Sequence, residues 1–218
     1  MQFNYNDKDR TLWDDIFLES NQMNKDLYDN TVNYDGTSFM ISKALQHTEN
    51  YLEDLKKFSG NKKIDQDYLE KLTDTAYHLN SLIRFISTGF DLLEDINLNC
   101  FSINNKIEID KKAKIPNYKI YECLVTKKHK HPVFNNRKTR KIRNIVTHQG
   151  DLLIDYKNEQ DGIIYSYSPE YIIEKQISTI EEVLKDVKTD IKRQNEKVIE
   201  LKKFILDNNI ILTNKDAH

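Results

Sequence analysis

Turn-forming residues are scarce in this chain. Five Gly and three Pro in 218 positions supply few of the tight turns that a sandwich or barrel of short strands needs at every strand end, which favours helices joined by a few longer connections. Cysteine is scarce too. Cys100 and Cys123 are too few and too far apart for a disulfide framework or a zinc knuckle, so they read as reduced, buried thiols of a reducing compartment. No apolar run approaches the roughly 18 residues that a membrane-crossing helix requires, and the opening residues from Met1 to Arg10 contain no hydrophobic leader core. The expectation is a cytoplasmic protein without membrane association. An excess of one sign of charge is missing as well. The net charge of −2 excludes a uniformly basic nucleic-acid coat, so any anion-binding surface must be local. There is also no G-x-G-x-x-G, P-loop or G-x-S-x-G pattern, which removes support for nucleotide-cofactor and hydrolase readings, and no cofactor is expected.

Apolar residues make up 38% of the chain and charged residues 31%, enough to bury a core beneath a strongly solvated surface. The length fits one domain over 1–218, with an irregular insertion at about 97–135. Residues 9–30 predict a first helix with Leu12, Trp13, Ile16, Phe17 and Met23 along one side. Gly36 is expected to separate it from a second, capped by Thr37 or Ser38 and running to about Phe58 on Ile41, Ala44, Leu45, Tyr51, Leu52 and Leu55. Over about 65–96 the apolar positions Leu69, Leu72, Ala76, Leu79, Ile83, Ile86, Phe90 and Leu93 alternate three- and four-residue steps, which keeps one stripe on one helix face. A second seam over about 169–208 carries Ile173, Ile177, Ile180, Leu184, Val187, Ile191, Val198, Leu201 and Ile205, with Gln194 as its polar member. Pro169 suits a first helical turn after a Ser168 cap. The seams fit packing within one bundle or a coiled coil between chains, and in the second case Gln194 would set register. Two small hairpins are expected, one over 101–109 and one pairing Leu152–Tyr156 with Ile163–Tyr167 through Asp161-Gly162. Shorter helices are expected at about 118–126 and 136–149. The fold class is therefore all-α: a helical bundle with two long helices and minor β-hairpin insertions.

One segment has a distinct chemistry. Between Glu122 and Asp151 there is no acidic residue, while Lys127, Lys128, Lys130, Arg137, Lys138, Arg140, Lys141 and Arg143 fall there with His129, His131 and His148. In a chain of near-neutral charge this segregation makes a local positive field that attracts phosphate, although a charge run is often only a solvated loop. The segment ends in Arg143-Asn144-Ile145-Val146-Thr147-His148. An Arg followed by a His at one of three spacings arises by chance roughly 0.5 times in a chain of this composition, and requiring Asn after the Arg lowers that about tenfold.

This run resembles the signature of the HEPN superfamily, an Arg commonly followed by a polar residue and then by a His a few positions on. The resemblance implies a small all-α domain, commonly a homodimer, acting as a metal-independent endoribonuclease in toxin–antitoxin, abortive-infection or other phage-defence systems, or as a catalytically silent binding module. It implies Arg143, Asn144 and His148 as the catalytic group and RNA as a partner, with a cognate antitoxin or other protein beside it. The β segments and the length of the 169–208 helix depart from the pattern. The chemistry fits on its own terms. Asn144 and His148 are four apart on a helix and share a face. A His titrating near neutrality can move the protons that attack by a 2′-hydroxyl requires, and a forked guanidinium can donate to a developing phosphorane. Acid and base are both needed, and one copy offers one imidazole in the motif. A two-fold pairing of copies would supply the second.

Other readings stay open beside this one. Arg143 can pair with an acid, Asn144 can cap a helix, and His148 can be a satisfied core residue. A metal site among His129, His131 and His148 is disfavoured by the interleaved lysines. His47 and His78 lie beside apolar stripes on separate predicted helices and read as helix-border residues. The acidic pairs Asp14-Asp15 and Glu181-Glu182 read as solvated helix faces.

Overall fold

The computed structural model describes Trp13, residues 25–58, 66–105, 139, 142–144, 146, 152–155, 163–168 and 173–207. Three long helices dominate: α1 (Lys25–Phe58), α2 (Gln66–Asn105) and α3 (Ile180–Asp207). Between α2 and α3 lie three strands, β1 (Leu152–Asp155), β2 (Ile163–Ser168) and β3 (Ile173–Thr179). They form one antiparallel sheet in the order β1-β2-β3. Leu152 faces Ser166 and Asp155 faces Ile163, and the β2–β3 ladder shifts register between Ile164 and Tyr165. The first two strands occupy the segments read above as a hairpin.

Three boundaries differ from the sequence expectations, each for a local reason. The break at Gly36 is not observed, because α1 runs through it. The apolar and small positions Leu27, Thr31, Tyr34, Ser38, Ile41 and Ala44 are all buried, so one helical stripe is continuous across the glycine. Its packing outweighs the roughly 1 kcal/mol that an interior glycine costs. The hairpin expected over 101–109 is also overruled, since α2 continues to Asn105. Leu93, Ile96 and Cys100 stay in the core at helical spacing. Finally, residues 173–179 are strand, not the start of the last helix. Ile173 and Ile177 are four apart, a spacing that fits one face of a helix and one face of a strand equally well. The cap lies at Thr179. Its Oγ1 accepts from the Glu182 N–H at 3.2 Å while the Glu182 carboxylate accepts from the Thr179 N–H at 3.3 Å, a reciprocal capping box that starts α3 at Ile180. Apart from Trp13 and residues 25–30, the helix expected at 9–30 lies outside the described residues, as does the helix at 118–126; of the irregular insertion expected at about 97–135, residues 97–105 are helix α2 and the rest lies outside the described residues.

The chain divides into two compact units. The first draws on Met1–Gly36, Gly89–Asn135 and Arg193–His218. Its core joins Trp13, Leu27, Tyr34, Leu93, Ile96, Cys100, Val198, Leu201 and Ile205. The Trp13 and Tyr34 rings meet edge to face with centroids 6.5 Å apart, a preferred aromatic geometry. Gln194 is buried here, and the Tyr34 hydroxyl donates to its Oε1 at 3.4 Å. This contact explains a glycine inside a helix. A Cβ on Gly89 would stand 2.6 Å from Gln194 Oε1, so with any other residue the amide would have to shift. Burial pushes the Cys100 thiol up to about 12, which makes it a packing residue and no nucleophile. Burial, helped by the neighbouring Asp35 carboxylate, likewise raises the Tyr34 phenol above its ordinary value.

The second unit draws on Thr37–Thr88 and Asn136–Lys192. Its buried apolar residues include Leu52, Leu55, Leu79, Leu82, Ile83 and Ile86 from α1 and α2, and Ile180, Val183 and Val187 from α3. Buried Thr48, Thr75 and Asn80 return their polar groups to carbonyls one turn back, at 2.7 to 2.8 Å, which satisfies them without leaving the helix. Lys188 on α3 pairs with Glu49 on α1 at 2.7 Å. No helix among the described residues is long and apolar enough to cross a membrane.

Candidate nucleic-acid interface

The segment that carries the Arg–Asn–His pattern enters the second unit as a short helical turn. The Arg143 N–H donates to the Thr139 carbonyl at 2.8 Å, the i to i−4 bond that opens a helix. Thr139 is itself held from outside the turn. Its N–H and its Oγ1 both donate to Oδ2 of Asp190 on α3, each at 2.8 Å, and all of these groups are buried. A buried carboxylate on α3 thus fixes the start of the turn, receiving donors that a helix N-terminus leaves without intrahelical partners. Hydrogen bonds to a charged acceptor are stronger than neutral ones.

The turn is amphipathic. Ile142 and Val146, four apart, are buried, while Arg143 is half-buried and Asn144 exposed. The apolar pair presses the turn onto the core, and Arg143 and Asn144 look outward from it. The Arg143 guanidinium donates to Asn144 Oδ1 at 3.4 Å, so two of the three expected catalytic residues are brought together. His148 lies outside the described residues, as do Lys127, Lys128, Lys130, Arg137, Lys138, Arg140 and Lys141. At the start of the turn the cap position belongs to Thr139 and Asp190.

A second cluster of polar rings in the same unit has no counterpart in the linear reading. His47 on α1 and His78 on α2, taken there as isolated border residues, stack with centroids 4.8 Å apart and planes 19° from parallel. Tyr51 lies parallel to His78 at 5.3 Å, and the Tyr77 ring meets His78 edge-on at 5.3 Å. Burial, then the neighbouring His47, lowers the pKa of His78 below the ordinary histidine value, while Asp74 pulls the other way. Part of the signal was in the sequence, since His47 and Tyr51 are four apart and share a face of α1. The partner across the helix pair was not, because periodicity fixes faces and not which faces meet. Among the described residues no group of three or more His, Cys, Asp or Glu side chains could hold a metal ion.

No protein-family model, curated protein or solved structure matches this chain.

Proposed function

We propose that the chain is a HEPN-like helical domain acting on RNA, as a metal-independent endoribonuclease whose site is completed by a second copy of the chain. The observation that carries this reading is the outward presentation of the first two motif residues, Arg143 and Asn144. Ile142 and Val146 are buried while Asn144 is exposed and Arg143 half-buried, the placement a ligand-facing group needs and a core-filling trio does not. The acid-free run of eight lysines and arginines leading into the turn supports an anionic polymer as the ligand. Lys127, Lys128, Lys130, Arg137, Lys138, Arg140 and Lys141 hold the phosphate backbone in this reading.

The 2′-hydroxyl oxygen bonds to the adjacent phosphorus as the bond to the 5′ oxygen breaks. One His148 removes the 2′ proton, and a second, from the other copy, protonates the departing 5′ oxygen. Arg143 donates to the non-bridging oxygens as their charge grows, and Asn144 orients His148 or donates to a phosphate oxygen. The products are a 2′,3′-cyclic phosphate and a 5′-hydroxyl, and no metal takes part. In a cell the activity would be restrained by an antitoxin or similar partner.

A catalytically silent module that binds a partner is the second reading. It is favoured by Ile199 and Leu206 on α3, which are 67% and 54% exposed and one heptad apart. One experiment separates the two. The purified chain is incubated with single-stranded RNA in EDTA at several salt concentrations, and both retention and product ends are measured. The nuclease reading predicts chelator-resistant cleavage to cyclic-phosphate ends, with RNA affinity that falls steeply as salt rises and drops further in Arg140→Glu/Lys141→Glu. Salt-sensitive binding without cleavage supports a silent RNA-binding module, and no RNA binding at any salt overturns the nuclease reading and leaves the protein-interaction module.

A further inference from the structure

We propose that His47 and His78 form a proton-sensitive clasp between α1 and α2, closed while at most one imidazole is charged and loosened when both are. The geometry is specific. His47 and Tyr51 are one turn apart on α1 with centroids 6.4 Å apart and planes 28° from parallel. His78 is parallel to both, at 4.8 Å and 5.3 Å. A straight three-ring column would separate His47 and Tyr51 much further, so His78 from α2 lies across the gap between two side-by-side rings of α1. Tyr77 closes against its edge. Every ring contact between the two helices in this cluster runs through His78.

A histidine pair can also hold a metal, but this one is arranged otherwise. Imidazole lone pairs lie in the ring plane, and two stacked parallel rings do not aim them at one point. Stacking instead makes the contact depend on charge. Neutral rings, or one neutral and one cationic, pack face to face without penalty, whereas two cations at this distance repel. A charge on His47 therefore disfavours a charge on His78.

The surrounding charges leave little to neutralise a second proton. Asp74, one turn before His78, is the carboxylate that acts on it. Asp54 is engaged by Lys57 at 2.7 Å and approached by Lys71 at 3.9 Å, and Lys71 also approaches Asp67 at 3.8 Å. Glu49 is paired with Lys188 of α3, and Lys43 lies over the Phe39 ring. Burial and His47 hold the folded-state pKa of His78 below its unfolded value. The unfolded chain thus takes up the proton more readily. The stabilising contact is complete above about pH 6.5, the ordinary histidine value, and is lost as the pH falls below it.

The test is an NMR titration of the imidazole Cε1–H signals in the full chain, with amide exchange followed over 41–57 and 66–83. Replacing His47 by Gln, at an exposed position, should raise the His78 midpoint toward the ordinary value. In the wild type, amide protection in these two segments should fall several-fold between pH 7.5 and 5.5, after correction for intrinsic exchange. His78→Phe should keep the protection and flatten its pH dependence, since a ring remains and the charge is gone. A His78 midpoint unmoved by His47→Gln, or the same pH-dependent loss of protection in wild type and His78→Phe, overturns the proposal.

Discussion

The two units bury polar groups in different ways, and the difference indicates where chemistry can reside. In the first, Tyr34 and Gln194 turn toward each other inside a core of Trp13, Leu27, Leu93 and Leu201. Burial suppresses the ionisation of Tyr34 and Cys100, so its polar groups do packing work. In the second, buried Asp190 reaches across 51 residues of sequence to hold Thr139. The turn it anchors presents Asn144 to solvent and leaves Arg143 partly exposed. The same unit carries the stacked His47–His78 pair. Among the described residues, the first unit uses its buried polar groups for packing, and the second also turns two motif residues outward.

That contrast predicts mutational effects of different size and kind. The largest belongs to the first core. Leu201→Ala removes a fully buried side chain and should cost about 3–4 kcal/mol, in the range for leucine truncation with a residual cavity. Denaturant unfolding would show it, while activity per folded molecule stays unchanged. Asp190→Ala comes next. It strands the Thr139 N–H and hydroxyl in a buried site and should cost about 2–3 kcal/mol, but here RNA cleavage should fall further than the folded fraction does. Equal losses of folding and activity would make Asp190 a stability residue alone.

The smallest effect is the most diagnostic of packing. Gly89→Ala adds helix propensity worth about 1 kcal/mol, yet its Cβ would meet Gln194 Oε1 at 2.6 Å and disturb the Tyr34 bond, so a net loss of about 1 kcal/mol is expected. In a Gln194→Ala background the same substitution should become stabilising. A sign that does not change between backgrounds contradicts the close approach of α2 to the amide, because coupling of this kind is what a double-mutant cycle detects.

How far the sequence revealed this depended on whether a signal was one-dimensional. The seam of α3 from Ile180 through Val187, Gln194, Leu201 and Ile205 is buried as its three- and four-residue steps require. The seam of α2 is buried from Leu79 onward, although Leu69 at its start is exposed. Helix ends were harder to place. Ile173 and Ile177 satisfy two periods, and the deciding signal, Thr179 followed three residues later by Glu182, lies inside an apolar pattern that seems uninterrupted only when caps are ignored. Gly36 shows the reverse error, a strong local signal overridden by the stripe on both sides of it. The pairings of Asp190 with Thr139 and of His47 with His78 are tertiary, and no spacing rule encodes them. For the Arg–Asn–His motif, the sequence supplied the residue types and the amphipathic turn supplied the direction in which two of them face.

The central question is whether the motif works as a site while the fold remains intact. The direct measurement is single-turnover RNA cleavage in EDTA by the wild type, Arg143→Ala and His148→Ala, with thermal unfolding of each recorded in the same buffer. Loss of the proton-transferring or charge-stabilising group should slow cleavage by about 10²–10⁴-fold. In this reading Tm should stay nearly constant in both variants. A wild type without chelator-resistant cleavage, or variants that lose Tm in step with activity, would contradict it and leave the Arg143–His148 turn as part of the scaffold.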